Sequence, residues 1–344
     1  MTLKSSHDAE RNGIREMTQD PDISIAVPMH NESDGVDQFF HSVEEVLVNM
    51  GVTYEIVCVN DGSTDDTLEL VLAHRDRNPA IKVVDFSRNF GKEIAQSAAI
   101  DFTKGLTVVP IDADLQDPPS LIPELFEKWR EGYEVVHATR LTRLGESWFK
   151  RLTSGWFYRF YNLFAEVPIP KNTGDFRLMD RAVVEALKLL PERNRFMKGL
   201  FSWVGFSQTS VTFERAPRAA GFSKWSYWRL WNLALDGIFG FSTLPLRLWM
   251  YAGVLVSLGA ITYAVWVIGK AIFFGINAPG YASLMTAVLF LGGIQLFSIG
   301  LLGEYVGRVF METKNRPLYI IRKNFGIEFE NKENKGEKNA TTER

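Results

Sequence analysis

From Leu248 to Gly269, and again from Ala271 to Gly303, the chain carries no charged residue. Each apolar run is ~20 residues, and at a rise of ~1.5 Å per residue that spans a hydrocarbon core of roughly 30 Å. Lipid leaves the backbone no partner but itself, so such runs must be helical. A Gly/Asn/Pro turn around Gly275 to Tyr281 separates them, which predicts two antiparallel transmembrane helices, 248–274 and 282–307, with Trp249, Tyr251 and Trp266 available to the interfaces. A buried soluble hairpin is the competing reading. The polar chemistry of the chain has to lie outside these runs.

Most of it lies before them. Val108 to Pro119 reads Val-Val-Pro-Ile-Asp-Ala-Asp-Leu-Gln-Asp-Pro-Pro, an apolar run that ends in two carboxylates. This is the pattern of a buried strand delivering its C-terminal end into a cleft. Residues i and i+2 of an extended segment share a face, so Asp112, Asp114 and the amide oxygen of Gln116 can offer hard oxygens to one Mg²⁺ or Mn²⁺. The alternative is that the two aspartates merely cap the helix that Pro118 and Pro119 introduce.

Around this stretch the chain alternates strand and helix. Strands are expected at Ile23–Pro28, Tyr54–Asn60, Ile81–Phe86 and Glu134–Thr139. Helices are expected from a Ser33 or Asp34 cap to about Met50, after an Asp65 or Thr64 cap, over about Glu93–Thr103 and over Ser120–Arg130. Five such alternations describe an α/β domain with a mostly parallel sheet, over residues 21–225. Residues 1–20 are polar and read as a disordered leader, 226–247 as a juxtamembrane amphipathic helix, and 308–344 as a basic tail with a disordered end.

Composition narrows the chemistry. With 38 basic and 41 acidic residues the net charge is −3, so no global field attracts nucleic acid. The single cysteine, Cys58, excludes an intramolecular disulfide framework, and the five histidines show no zinc spacing. Neither a Walker loop nor a G-x-G-x-x-G motif stands at any strand-to-helix turn. A nucleotide diphosphate then needs another counter-charge, and a metal on Asp112 and Asp114 is the obvious one, which favours a nucleotide-sugar transferase over a dehydrogenase or kinase.

Five motifs carry a family resemblance: Val27-Pro28-x-x-Asn31-Glu32, Asn60-Asp61-Gly62-Ser63, Arg88-Asn89-Phe90-Gly91-Lys92, Asp112-Ala113-Asp114-Leu115-Gln116 and Gly303-Glu304-Tyr305-x-Gly307-Arg308. Together they resemble the polyprenyl-phosphate glycosyltransferases of the dolichol-phosphate mannose synthase superfamily, inverting family 2 enzymes with a GT-A fold. Gly174-Asp175-Phe176-Arg177-Leu178-Met179 and Pro191-Glu192-Arg193-Asn194-x-Phe196-Met197-Lys198-Gly199 are similar to the bactoprenol glucosyltransferases of O-antigen modification. His30 departs from the family, which usually has an aromatic residue there.

The resemblance implies a set of roles. Pro28, Asn31, Glu32 and Asp61 belong to the donor site, Asp61 at the uracil or ribose. Asp112, Asp114 and Gln116 hold the metal, and Asp114 and Asp175 are the catalytic candidates, Asp175 close to the transferred sugar. By its own setting Asp175 could instead be a helix cap. Arg218 and Lys224 are candidates for the diphosphate, with a membrane-proximal role the alternative. Arg140, Lys150, Arg151 and Ser154 can serve the acceptor phosphate, the last three opening an aromatic segment over about 150–166 that reads as an interfacial helix or as ordinary packing.

The implied activity is transfer of a hexose, with glucose from UDP-glucose expected, to a polyprenyl (undecaprenyl) phosphate, feeding O-antigen or cell-envelope glycosylation. The partners implied are the UDP-sugar, the lipid phosphate, the bilayer, a homo-oligomer where one forms, and a separate flippase downstream. Basic residues flank the hairpin at Arg229, Arg247, Arg308, Lys314, Arg316, Arg322 and Lys323 while Gly275 to Ser283 has none, which places the catalytic domain and both termini in the cytoplasm at the inner membrane. The alternatives are a processive polysaccharide synthase, disfavoured because no Gln-x-x-Arg-Trp occurs, and a non-catalytic membrane scaffold.

Overall fold

The computed structural model describes residues 20–140, 173–193, 197–213, 244–274 and 280–327. Lys150, Arg151, Ser154, Arg218, Lys224, the leader, the 150–166 segment and nearly all of 226–247 lie outside them. The described chain begins with β1 (Ile23–Met29), α1 (Val36–Met50), β2 (Tyr54–Asn60), α2 (Thr67–Arg77), β3 (Ile81–Phe86), α3 (Lys92–Asp101) and β4 (Thr107–Pro110). A 3₁₀ turn at Pro119–Leu121 leads into α4 (Ile122–Arg130), then β5 (Val135–Arg140), β6 (Thr173–Asp180), α5 (Arg181–Lys188), α6 (Met197–Trp203) and β7 (Gln208–Phe213). Two long helices, α7 (Leu244–Phe274) and α8 (Tyr281–Thr313), precede a last strand, β8 (Ile321–Phe325).

The strands form one 8-stranded sheet in the order β7-β5-β6-β4-β1-β2-β3-β8. Strands β4, β1, β2 and β3 run parallel, as their unbroken apolar sequences predict, and nearly every residue of β1 and β2 is buried. Helices cover both faces. On one, Phe39, Phe40, Val43 and Leu47 of α1 pack with Leu125, Phe126 and Trp129 of α4; on the other, Ala95, Ala98 and Ala99 of α3 pack with Val183, Val184 and Leu187 of α5. The expected α/β sheet is therefore present, with antiparallel members added: β6 against β4 and β5, and β8 against β3.

Several local expectations are corrected. Helix α1 starts at Val36 with Gly35 as its cap and no side-chain cap from Ser33 or Asp34. Ser33 is drawn elsewhere, its N–H donating to Asp65 Oδ2 at 3.2 Å. The strand before the acidic pair stops at Pro110, and Asp112 to Leu115 form a turn with Leu115 at φ 54°, so the two aspartates do not share the face of an extended segment. Gly174 to Arg177 is part of β6, so Asp175 caps no helix; the cap of α5 is Asp180, whose Oδ1 accepts the N–H of Ala182 at 2.9 Å. The stretch expected to be tail, from residue 308, first completes α8 and then supplies β8.

Helices α7 and α8 are long and apolar enough to cross a membrane. Their apolar side chains face outward, Leu255 at 74% and Leu289 at 68% exposure, which argues against a buried soluble hairpin. The two helices are joined by a short connection, and Trp249, early in α7, packs its ring on Phe297, at the middle of α8, at 4.6 Å between centroids, and its Nε1 donates to Ser298 Oγ. The two helices accordingly run antiparallel.

Candidate active site

Parallel strands bring their C-terminal ends to one edge, and here four loops meet there: His30 to Gly35, Asp61 to Asp66, Ser87 to Gly91 and Ile111 to Pro118. Strand β1 stands between β2 and β4, so successive connections leave it in opposite directions and open a crevice at this switch point. Strand β6 runs antiparallel beside β4, with Thr107 opposite Asp180, so its opposite end carries Asp175 to the same edge.

The loops are locked to one another. Asn31, at φ 53°, donates its N–H to Ser63 Oγ at 3.1 Å and accepts the Thr64 N–H on Oδ1 at 2.8 Å. The Glu32 N–H donates to Thr67 Oγ1 at 2.9 Å. Pro28 lies one residue from the end of β1, and the Nδ1 of His30, two residues on, is buried without a hydrogen-bond partner. Gly62 has φ 60° and passes so near the next loop that a Cβ would stand 2.5 Å from Arg88 C and Asn89 N, so no other residue fits.

Asp61 is 2% exposed and accepts the N–H groups of Phe90 at 2.6 Å and Gly91 at 3.0 Å, one on each oxygen. It anchors the loop after β3. Beside it, Asn60 Nδ2 donates to Asp85 Oδ1 at 2.7 Å. The loop so held ends at Lys92, whose Nζ lies 2.6 Å from Asp112 Oδ2 and 3.3 Å from Asp175 Oδ2. In the sequence Lys92 stands inside a motif with no role of its own; a lysine just past a loop glycine, at the C-terminal edge of a parallel sheet, is the signal that points to it.

Burial raises the Asp112 carboxyl, and Asp175 and Asp114 add to this; Lys92 opposes them without cancelling, so Asp112 stays above the usual carboxylate range. Burial also opposes the Lys92 charge, but Asp112 and Asp175 outweigh it and hold the ammonium above the ordinary lysine range. Asp114 Oδ1 accepts the N–H of Gln116 at 3.1 Å, which closes the turn, and Gln116 is buried. Of the candidates, then, Pro28, Asn31, Glu32, Asp61, Asp112, Asp114, Gln116 and Asp175 all stand along this edge. Arg140 ends β5 with its backbone opposite Phe213 of the parallel strand β7.

Among the described residues no three His, Cys, Asp or Glu side chains cluster closely enough to hold a metal unaided. The donor set nevertheless suits Mg²⁺ or Mn²⁺, which commonly take one or two carboxylates and complete their shell with substrate phosphates and water. A cation, the Lys92 ammonium, already sits on Asp112.

Beneath Asp175, Arg177 is 2% exposed and stacked over the Phe201 ring at 4.0 Å. It donates from Nη2 to Gly174 O at 2.7 Å and from Nε to Asp175 O at 3.3 Å, which fixes the backbone that carries Asp175. Burial lowers its pKa to about 10 despite Asp175 and Glu93.

A parallel sheet with an acidic crevice at its switch point, no Gly-rich phosphate loop and an added antiparallel strand is the GT-A arrangement of nucleotide-sugar transferases. The chain belongs to glycosyl transferase family 2, whose model matches residues 24–188, and it carries a GtrB C-terminal hairpin over residues 244–309. It is 56% identical to an uncharacterized glycosyltransferase of Synechocystis over 90% of this chain and 97% of that one. It is also 48% identical to the bactoprenol glucosyl transferase of Shigella phage SfII (88% of this chain, 97% of that one) and to the prophage bactoprenol glucosyl transferase homolog of Escherichia coli K12 (88% and 98%).

Proposed function

We propose that the protein transfers glucose from UDP-glucose to a polyprenyl phosphate of the bactoprenol type, with inversion, at the cytoplasmic face of the membrane. The observation that carries this reading is similarity to bactoprenol glucosyl transferases over 97% of their length, across both the catalytic domain and the apolar hairpin. The hairpin would hold the crevice at the surface where a lipid phosphate is presented.

The acceptor phosphate is already an anion at neutral pH, so a strong general base is dispensable and alignment dominates. The crevice holds Asp112, Asp114 and Asp175 against the ammonium of Lys92. An incoming diphosphate needs more positive charge than that. Asp112, Asp114 and Gln116 would hold a divalent cation, which would supply Lewis acidity to a departing diphosphate. Asp175, aimed by Arg177, is the group to orient the sugar. Arg218 and Lys224 are assigned to the diphosphate, and Arg140, Lys150, Arg151 and Ser154 to the acceptor phosphate.

Purified protein in detergent, offered a panel of UDP-sugars with undecaprenyl phosphate, is expected to form one lipid-linked monosaccharide from UDP-glucose, detectable by mass spectrometry. A polymeric product, or donor hydrolysis that ignores the lipid, would overturn the reading. The product needs a separate flippase to cross the bilayer.

A further inference from the structure

Lys92 joins two parts of the site by its side chain: the turn after β4, through Asp112, and the start of β6, through Asp175. It opens α3 directly after Gly91, in a loop held down by Asp61, so the base of its stem is fixed. Its side chain is 40% exposed, and four rotatable carbons separate that fixed base from a compact, hydrated charge. A group so built can change partners without moving the backbone. Two cations want the same oxygen, and a divalent ion outbids an ammonium only if the ammonium is offered another anion; a diphosphate is such an anion.

We propose that Lys92 is an exchangeable counter-cation: it bridges Asp112 and Asp175 while the donor is absent, then yields Asp112 to the divalent ion and passes its ammonium to the diphosphate oxygens, releasing Asp175 toward the sugar. The proposal rests on the reading of Asp112 and Asp114 as cation ligands. It makes the ion and the nucleotide bind as a pair, each weak without the other.

The test is Mn²⁺ binding to the full-length protein in detergent, followed by the EPR signal of free Mn²⁺, with and without UDP. Lys92→Met is expected to bind Mn²⁺ roughly five- to tenfold tighter than wild type when UDP is absent, because one partly exposed ion pair no longer competes. UDP should then strengthen Mn²⁺ binding much less than it does in wild type. Lys92→Arg keeps the charge and should stay near wild type, which separates competition from any loosening of the fold. Mn²⁺ binding that depends on Asp112 but is no tighter in Lys92→Met overturns the exchange alone. Mn²⁺ binding that Asp112→Asn leaves unchanged overturns the ligand assignment and the exchange with it.

Discussion

The carboxylate of Asp61 accepts the backbone N–H of Gly91 at 3.0 Å, pinning the loop that ends in Lys92 to the tip of β2. The acid that we assign to the donor nucleotide is thus also the anchor of a neighbouring loop. Asp61→Asn puts an amide donor against one of two N–H groups in a buried place. The variant is expected to lose about 1–3 kcal/mol of stability, read as a lower midpoint in thermal or denaturant unfolding, along with activity. Unchanged stability would show that the two hydrogen bonds are incidental.

Asp114→Asn is expected to leave the protein folded and membrane-bound while lowering turnover by several orders of magnitude, since losing the leaving-group cation removes several kcal/mol from the transition state. Turnover measured with and without excess chelator checks it; full activity of the variant in chelator would sink the cation reading.

Substitution of Arg140, Lys150 or Arg151 should raise the apparent KM for polyprenyl phosphate and leave donor affinity in the absence of acceptor nearly constant. A collapse of donor binding with unaltered acceptor dependence would reverse the assignment.

His137 on β5 is 4% exposed, with Nε2 at 2.9 Å from Gln208 Oε1. Burial, helped by the Arg177 charge, lowers its pKa from 6.5 to about 4. The neutral form is therefore the one the fold accepts, and its contribution is fully present above pH 6.5. As the pH falls from there toward 4 the unfolded chain takes up the proton first, and stability drops by roughly 2–3 kcal/mol. Unfolding curves between pH 7 and 4 should show this drop, and His137→Phe should flatten it.

Topology is open to cysteine labelling in intact cells. Cys58 is 1% exposed with its thiol pushed up by burial, so it should stay silent in the folded protein. With the catalytic domain inside, Ala278→Cys reacts with a membrane-impermeant reagent and Asn331→Cys reacts only after lysis; the reverse pattern would place the domain outside.

The parallel strands and the acidic pair were legible because each is a short apolar run with punctuation at its end, and burial on both faces leaves little else to choose. What escaped was whatever pairing imposes on unfavourable sequence. Strand β6 contains Asp175, Arg177 and Asp180 and reads as irregular, yet β4 and β5 on either side supply the hydrogen bonds that make it a strand. Strand β8 is Ile-Arg-Lys-Asn-Phe, which reads as a basic tail, and only the open edge of β3 gives it order. Likewise Lys92 gained its role from Asp112 and Asp175, residues distant in sequence and invisible to local pattern.

That last strand has a consequence for how the protein is made. The described chain leaves the sheet after β7, runs out and back through the apolar hairpin, and returns with Ile321 to Phe325 beside β3. The Ile320 carbonyl accepts the Ser87 N–H at 2.9 Å, and Tyr319 stacks on Phe86 at 4.9 Å, just where the loop bearing Lys92 begins. Until the ribosome has delivered both apolar helices, β3 shows a bare edge, ready to pair with any strand nearby. Synthesis of the apolar hairpin thus precedes closure of the sheet, and an enzyme cut off before the hairpin is left with an unfinished catalytic domain, open to self-association.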